Sequence, residues 1–211
     1  MYVSSSLFLP IVLAIFYTRI GETTIELHYL IINLAFVAVA FMVQSAIIAE
    51  EKEKNTLRGL MLSPATLPEI LGGKSLVSLI LTCITVVICT QITGYESVNV
   101  ALISIAIIIS SFFYLALGTL VGLLSRTVIE ASMIMLPVMF VFGFGSFLPN
   151  LIDTYPILIF TNYLPNVQLI DLANKVQLGA GITEILGVIL AWFIVSAILT
   201  VIVFKKKEMD E

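Results

Sequence analysis

The chain has 211 residues, of which 60% are hydrophobic and 11% are charged, whereas an ordinary soluble domain carries roughly 25% charged residues. A soluble domain of this length has too much surface to hide so many apolar side chains. Since the net charge of −4 also comes with no basic tract, the composition excludes a soluble enzyme, a nucleic-acid-binding protein and a disordered chain, and predicts an integral membrane protein.

Six apolar runs have the length, or nearly the length, of a transmembrane helix, which takes roughly 20 residues. The first, residues 3–18, is short and contains Pro10. A signal peptide is the alternative there, but the run has neither a basic start nor an A-x-A cleavage site. The other five runs contain no ionisable residue, and they are 30–49, 75–92, 98–124, 131–148 and 185–204. We predict one all-α transmembrane domain over residues 1–211.

The distribution of basic residues predicts the orientation, because Lys and Arg concentrate in cytoplasmic loops. If the chain alternates from a cytoplasmic N-terminus, only Arg19 and Lys175 of the basic residues lie outside. Both termini and the segment 50–74 are then cytoplasmic, and residues 149–184 form a long outer segment. The basic residues inside are Lys52, Lys54, Arg58, Lys74, Arg126, Lys205, Lys206 and Lys207.

The outer segment has two recognisable parts. Residues 155–164 are apolar but too short to span, so we predict a re-entrant or interfacial piece. Residues 166–178 follow as a short helix with Leu169, Leu172 and Val176 on one side.

The sequence of the cytoplasmic segment 50–74 predicts regular structure. A plain solvated loop is the alternative. After a charged start, Leu57, Leu60 and Met61 recur at i, i+3 and i+4, the spacing of a short amphipathic helix. The pair Ser63-Pro64 ends that helix, because the residue before a proline is pushed out of the α region. A capping box at residues 66–69 then starts a helix that continues into the third span.

This segment resembles the region that joins the second and third spans of ABC-2 type transporter permeases. There a Glu-rich turn, a Thr-Leu start, a short coupling helix, a Ser-Pro break and a membrane-edge Lys follow one another. The matching residues are Glu50, Glu51, Glu53, Thr56, Leu57, Leu60, Leu62, Ser63, Pro64, Glu69, Ile70, Gly73 and Lys74. The six-span layout is also similar. Such permeases usually begin with an elbow helix, for which residues 1–5 leave no room, so we expect either a reduced variant or a start further upstream.

The resemblance implies the membrane subunit of an ATP-binding cassette exporter in the plasma membrane, and we expect a prokaryotic one. Separate ATPase subunits would bind the ATP and dock on the cytoplasmic segment 50–74, which we call the coupling segment. A second permease copy, identical or related, would complete the pore. The outer segment would close the pathway. The residues expected to contact the ATPase are Glu51, Glu53, Thr56, Leu57, Arg58, Leu60, Met61, Ser63 and Pro64.

The residues give no support for catalysis, a cofactor or a metal. The run 73–75 ends like a Walker A loop, but Pro68 stands where that motif needs a glycine. The single histidine, His28, lies at the edge of the second span, and Cys83 and Cys89 lack metal-binding spacing. We therefore expect a transport subunit that is not an enzyme, with ATP bound by a partner.

The polar residues inside the spans leave two alternatives open. Asn33 and Gln44, 11 residues apart, fall within about 20° of one face of a regular helix, where they either line a translocation path or bond to neighbouring helices. Gly118 and Gly122 form a G-x-x-x-G pair, typical of close helix packing in lipid.

Spans without ionisable residues disfavour an ion-coupled carrier. They favour an apolar or amphipathic substrate. A six-span channel, carrier or assembly protein without an ATPase is the alternative function.

Overall fold

The computed structural model describes residues 2–21, 24–54, 56, 67–152, 154–179 and 181–210. Throughout these ranges the regular structure is helical. The α-helices are α1 (Tyr2–Ile20), α2 (Ile25–Glu53), α3 (Leu67–Thr93), α4 (Val100–Leu124), α5 (Val128–Gly143), α6 (Pro165–Leu178) and α7 (Thr183–Asp210). Two 3₁₀-helices, Gly145–Leu151 and Pro156–Tyr163, lie between α5 and α6.

The helices confirm an all-α membrane protein. By length and composition α2, α4 and parts of α3 and α7 can each cross a bilayer, and α5 qualifies when the 3₁₀-helix after it is included. Helix α1 has 19 residues, about 28 Å at 1.5 Å per residue, close to the thickness of about 30 Å of the hydrocarbon core. The six-span count and the orientation stay predictions.

Helix α2 is the centre of the bundle. In its most apolar window 94% of the residues are buried, against 22% for α7. Helices α1, α3, α4, α5 and α6 all pack against it. The outer helices instead expose apolar side chains such as Val87, Ile108 and Ile198, as expected for surfaces whose solvent is lipid.

The second span is longer than the predicted 30–49 and is not a regular α-helix. It begins at Ile25 because the side chain of Thr24 accepts a hydrogen bond of 3.3 Å from the backbone N–H of Leu27. Residues Phe36–Phe41 form a π-helical stretch, all of it buried. Since π-helices bond i to i+5, side chains on either side of this stretch do not keep α-helical spacing.

The fifth span differs from the predicted single run 131–148. It starts at Val128 and turns π-helical at Met139–Gly143. The axis then bends by 52° into the 3₁₀-helix Gly145–Leu151. Pro137 lies inside the helix, where it removes one backbone donor and crowds the preceding turn. Together with two glycines at the bend, this explains why an apolar run of span length breaks.

The segment before α7 agrees with its predicted helix. Helix α6 begins at Pro165, where a missing backbone N–H is tolerated. It ends at Gly179, whose φ of 65° is the left-handed conformation that favours glycine. Leu169 and Leu172 are fully buried on one side, as predicted. The apolar piece before it is the 3₁₀-helix Pro156–Tyr163.

Contacts between helix ends show which ends of the helices lie together at each end of the bundle. Leu7 packs with the buried cluster around Val43, whereas Thr18 donates a hydrogen bond of 3.2 Å to the carbonyl of Ile92. Phe204 of α7 packs on Ile48. The start of α1 and the C-terminal part of α7 therefore lie at the same end as residues 50–54 and 125–127, which we call the near end. Residues 94–99, 145–152 and 154–178 form the far end.

Candidate functional site

Three consecutive charged residues at the near end of α2 contact three other helices. Glu51 forms an ion pair with Lys74 at the start of α3. The Lys52 ammonium donates to the carbonyl oxygen of Leu123, at 2.9 Å, in the last turn of α4. The carboxylate of Glu53 accepts from the backbone N–H of Val128, at 3.1 Å, in the first turn of α5. Successive helical side chains point about 100° apart, so one short run reaches all three neighbours.

These contacts satisfy backbone groups that helix ends leave without intrahelical partners. Lys52 also donates to the carbonyl oxygen of Ser125, at 2.7 Å, and a cation is favourable at the carbonyl end of a helix. The carboxylate of Glu53 lies at the N–H end of α5, where a negative charge is favourable. Thr127 caps the same helix by accepting from the N–H of Glu130, at 3.2 Å. The turn 125–127 is thus held to the end of α2.

The outward side of this helix end carries a weaker contact. Lys54 and Glu50 pair at 2.5 Å, but both side chains are about half exposed or more, and such surface pairs contribute little to stability. The Glu50 carboxylate, through its hydrogen bond and its charge, raises the pKa of Lys54 above its ordinary value. These two charges face outward, whereas Glu51 and Lys52 are engaged inside the subunit.

The predicted ATPase-contacting residues divide into two groups. Glu51 and Glu53 make the contacts inside the subunit described above, and the exposed Thr56 donates a hydrogen bond of 3.1 Å to the carbonyl of Glu51. The remaining residues lie outside the described ranges, and they are Leu57, Arg58, Leu60, Met61, Ser63 and Pro64. Their coupling role stays a prediction.

The sequence did not identify the role of Lys52. Lys52 donates to backbone carbonyl oxygens more than 70 residues away. Because every residue has a backbone carbonyl, the sequence does not mark such an acceptor. The available signal was a lysine next to a membrane-embedded helix end, between two glutamates.

Gln44 joins α2, α3 and α4 through its side-chain amide. The residue is completely buried. Its amide nitrogen donates to the hydroxyls of Ser75 and Thr119, both at 3.0 Å. Its oxygen accepts from the hydroxyl of Ser78 at 2.9 Å. Both N–H groups and the carbonyl therefore have partners on neighbouring helices.

Asn33 makes the corresponding connection towards the far end. Its amide nitrogen donates to the carbonyl of Asn166 in α6, at 3.2 Å. The side chain of Asn166 donates in turn to the carbonyl of Val141, at 3.3 Å, in the π-helical part of α5. Asn33 and Asn166 are completely buried. The two amides thus link the central helix, the far-end helix α6 and the broken part of α5.

The prediction for Asn33 and Gln44 assumed a regular α-helix between them, and the π-helical stretch Phe36–Phe41 lies there instead. In this conformation both side chains hydrogen-bond to neighbouring helices, which is one of the two predicted alternatives. A role in lining the translocation path stays a prediction for other conformations.

The glycine pair of α4 allows its close contact with α2. A Cβ atom at Gly118 would come within 2.6 Å of the carbonyl oxygen of Phe41. One at Gly122 would come within 2.8 Å of the carbonyl oxygen of Ser45 and within 2.7 Å of the Cβ of Ile48. The predicted close packing of the G-x-x-x-G pair is confirmed, and it brings the backbones of the two helices together beside the Gln44 contacts.

An all-helical membrane domain around one buried span, with charged residues joining its helix ends, defines a polytopic membrane protein. The sequence profile of the family described as ABC-2 family transporter protein matches residues 20–205. The chain therefore belongs to the ABC-2 transporter family, whose members are membrane components of transporters, and the predicted resemblance is confirmed. Comparison with curated protein sequences gives no match.

Proposed function

We propose that the chain is the permease subunit of an ATP-binding cassette exporter, driven by separate ATPase subunits and paired with a second permease copy, identical or related. The observation that carries this proposal is the family match over residues 20–205. The subunit itself would bind no ATP, and its membrane would be a prokaryotic plasma membrane.

In the proposed topology six spans cross the membrane, with the near end and both termini in the cytoplasm. The distribution of basic residues supports this orientation. Accessibility of single cysteines at the exposed positions Thr56 and Gln177 tests it in intact cells with an impermeant thiol reagent. Labelling of Gln177→Cys without labelling of Thr56→Cys is expected, and the reverse result would exclude the orientation.

The near-end contacts support a mechanical route for coupling. In the proposed mechanism, ATP-driven closure of the ATPase subunits displaces the coupling helix predicted at residues 55–62, which follows α2 in the sequence. Glu51, Lys52 and Glu53 would pass this displacement to α3, α4 and α5, because packed helices move as rigid bodies. The pore would then switch from inward-facing to outward-facing.

The substrate class follows from the chemistry of the spans. Because the predicted runs hold no Asp, Glu, Lys, Arg or His, we propose an apolar or amphipathic cargo, such as a lipid, a peptide or a hydrophobic drug.

Co-purification tests the ATPase coupling. The tagged subunit, extracted in mild detergent from its native host, should retain a soluble P-loop ATPase, and ATPase activity should appear only in that complex. Stoichiometric ATP binding by the isolated subunit, or its purification without any ATPase, would favour a channel, carrier or assembly protein.

A further inference from the structure

A groove of about 280 Å³ separates α3 from α4 in the half of the bundle nearest the far end. Its walls include Val86 and Val87 of α3 and Ile107 and Ile108 of α4. Val87 is 58% exposed and Ile108 is 45% exposed. Because these side chains lie on membrane-spanning helices, the groove opens towards lipid rather than towards water.

The chemistry of the groove changes along its length. Gln91 lines it near the end of α3, followed by Tyr95 and Ser97 in the turn, whereas Cys83 and Ile107 line its deeper part. From residue 83 to residue 91 the helix rises about 12 Å at 1.5 Å per residue. The groove is therefore polar at the membrane surface and apolar towards the membrane centre. An amphiphile in one leaflet has the same order of polar and apolar parts.

Two polar side chains on these walls lack partners. Gln91 and Ser104 line the groove and are exposed, and neither side chain makes a hydrogen bond within the described ranges. The two lie on opposite walls, and Ser104 is one helical turn deeper than Val100 at the start of α4. Polar groups at a lipid-facing surface are costly unless they are hydrogen-bonded. Gln91 is two residues from the end of α3 and Ser104 is four residues from the start of α4, so both lie near the far end, on the side of the groove where a lipid's polar region would lie.

The charges around the groove restrict the headgroup. Its lining residues include no Lys or Arg, and its one histidine, His28, is 2% exposed and hydrogen-bonded to Thr93. No exposed cationic side chain among the lining residues therefore selects an anionic headgroup. Glu96 lies exposed in the turn between the lining residues Tyr95 and Ser97. A carboxylate at this rim favours an ammonium group and repels an anionic lipid.

We propose that the α3–α4 groove binds one zwitterionic aminophospholipid of the far-end leaflet, with an acyl chain between Val86 and Ile107 and its polar region at Gln91 and Ser104. Lipid tails are as apolar as the groove walls, so burial alone gives little preference over neighbouring lipids. The hydrogen bonds at Gln91 and Ser104 supply the selectivity.

Photolabelling tests this site without any ATPase, so its result is independent of the proposed transport function. The purified full chain in nanodiscs receives phosphatidylethanolamine with a diazirine in the middle of one acyl chain. Labelling should saturate, map to residues 83–91 and 100–108, and be displaced by unlabelled phosphatidylethanolamine more effectively than by phosphatidylglycerol. Unsaturable labelling spread over α5 and α7 would show surface lipid only and overturn the proposal.

Two variants locate the interaction. Gln91→Leu should reduce displaceable labelling about five-fold, the effect of one lost hydrogen bond. Ile107→Trp should fill the groove and abolish the labelling, whereas Ile198→Trp on the exposed face of α7 is the matched control. If the Ile107→Trp protein does not purify as a monodisperse species, the Gln91→Leu variant still tests the lipid site, because Gln91 is at an exposed position. Equal labelling of Gln91→Leu, Ile198→Trp and the unmodified chain would overturn the proposal.

Discussion

The ammonium group of Lys52 lies 2.7 Å from the carbonyl oxygen of Ser125, the residue that directly follows α4. This contact joins the last turn of the central helix to the turn between α4 and α5. A lysine two positions further on, Lys54, forms its ion pair with Glu50, four residues earlier, and stays 64% exposed. Neighbouring lysines with the same charge thus have different structural roles, and they form a natural experimental pair.

We expect Lys52→Met to destabilise the folded subunit by about 2 kcal/mol, because hydrogen bonds from a charged group contribute roughly 1.5–3 kcal/mol. The carbonyl oxygens of Leu123 and Ser125 would lose their donor. Lys54→Met should leave stability unchanged, since its ion pair is at the surface. The apparent melting temperature in detergent measures both, and equal melting temperatures for the two variants would show that Lys52 does not secure the helix end.

The α2–α4 contact predicts opposite effects for two Gly→Ala substitutions. Gly122→Ala should lower the melting temperature, because its Cβ would meet the backbone of Ser45 and the side chain of Ile48. Gly187→Ala, in the exposed helix α7, meets nothing within 4 Å. It should be neutral or stabilising by up to about 1 kcal/mol, the helix propensity gained over glycine. A stable Gly122→Ala variant would mean that the two helices are further apart than described.

The side-chain amide of Gln44 should contribute more to the stability of the folded subunit than other buried polar groups near it. Gln44→Leu removes the acceptor of the Ser78 hydroxyl and one donor to each of the hydroxyls of Ser75 and Thr119. We expect a loss of about 2 kcal/mol, since buried groups left unsatisfied cost roughly 1–3 kcal/mol. Thr85→Val is the control, because the Thr85 hydroxyl donates to the Leu81 carbonyl of its own helix and to no other helix in the part of the chain that the structure describes.

Thermal unfolding of the two variants in one detergent measures the difference. If both unfold at the temperature of the unmodified protein, Gln44 does not hold the three helices together. A pathway-lining role would then become the better explanation of this residue.

The sequence predicted the helices whose signals are local. Asn99 caps α4 within two residues of the predicted start, and Pro165 and Gly179 bound α6. Apolar runs predicted the other spans because lipid requires internally bonded helices. These features depend on residues close together in the chain, so one sequence suffices to place them.

Long-range packing produced the features that the sequence did not predict. The π-helical stretch Phe36–Phe41 is apolar like its surroundings, so nothing in its residue types sets it apart, and it is packed against four other helices, α1, α3, α4 and α5. The bend after Gly143 likewise divides an uninterrupted apolar run. For the candidate site, the sequence drew attention to Glu51 and Glu53, but their partners, a lysine side chain and a backbone N–H, depend on the tertiary arrangement.

A pH dependence should come from Asp171 on α6, outside the spans. Burial raises the pKa of its carboxyl above the ordinary value of 3.8, and the charge of Lys175 partly offsets this. Since the folded state holds the proton more tightly, this group favours folding below pH 3.8 and that contribution is lost as pH rises through the raised pKa.

Asp171→Asn should therefore raise the melting temperature at neutral pH and flatten its decline between acidic and neutral pH. Melting curves across that range test this, with Glu96→Gln, at an exposed position in another far-end turn, as the control. The sign of the change is decisive, because a lower melting temperature for Asp171→Asn at neutral pH would show that the ionised carboxylate stabilises the fold.

The coupling helix predicted at residues 55–62 gives the most direct test of ATPase docking. Leu57, Leu60 and Met61 would form an apolar face on a helix too short to be stable alone, since isolated helices under about 12 residues are marginal in water. Such a face needs a partner to cover it. Leu60→Asp would bury an unpaired charge in the docking interface, which costs several kcal/mol, enough to abolish a micromolar contact.

We expect Leu60→Asp to abolish co-purification of the ATPase and transport, while the protein still inserts at its normal membrane level. Arg58→Glu should have a smaller effect, because charges at the rim of an interface mainly change association rate and salt dependence. Lys54→Met is a further control, since it removes a nearby surface charge that pairs within the subunit. If Leu60→Asp retains its ATPase normally, residues 55–62 are not the docking element. The channel, carrier or assembly alternative would then gain support, because the proposed mechanism transmits ATPase closure through this segment to Glu51, Lys52 and Glu53.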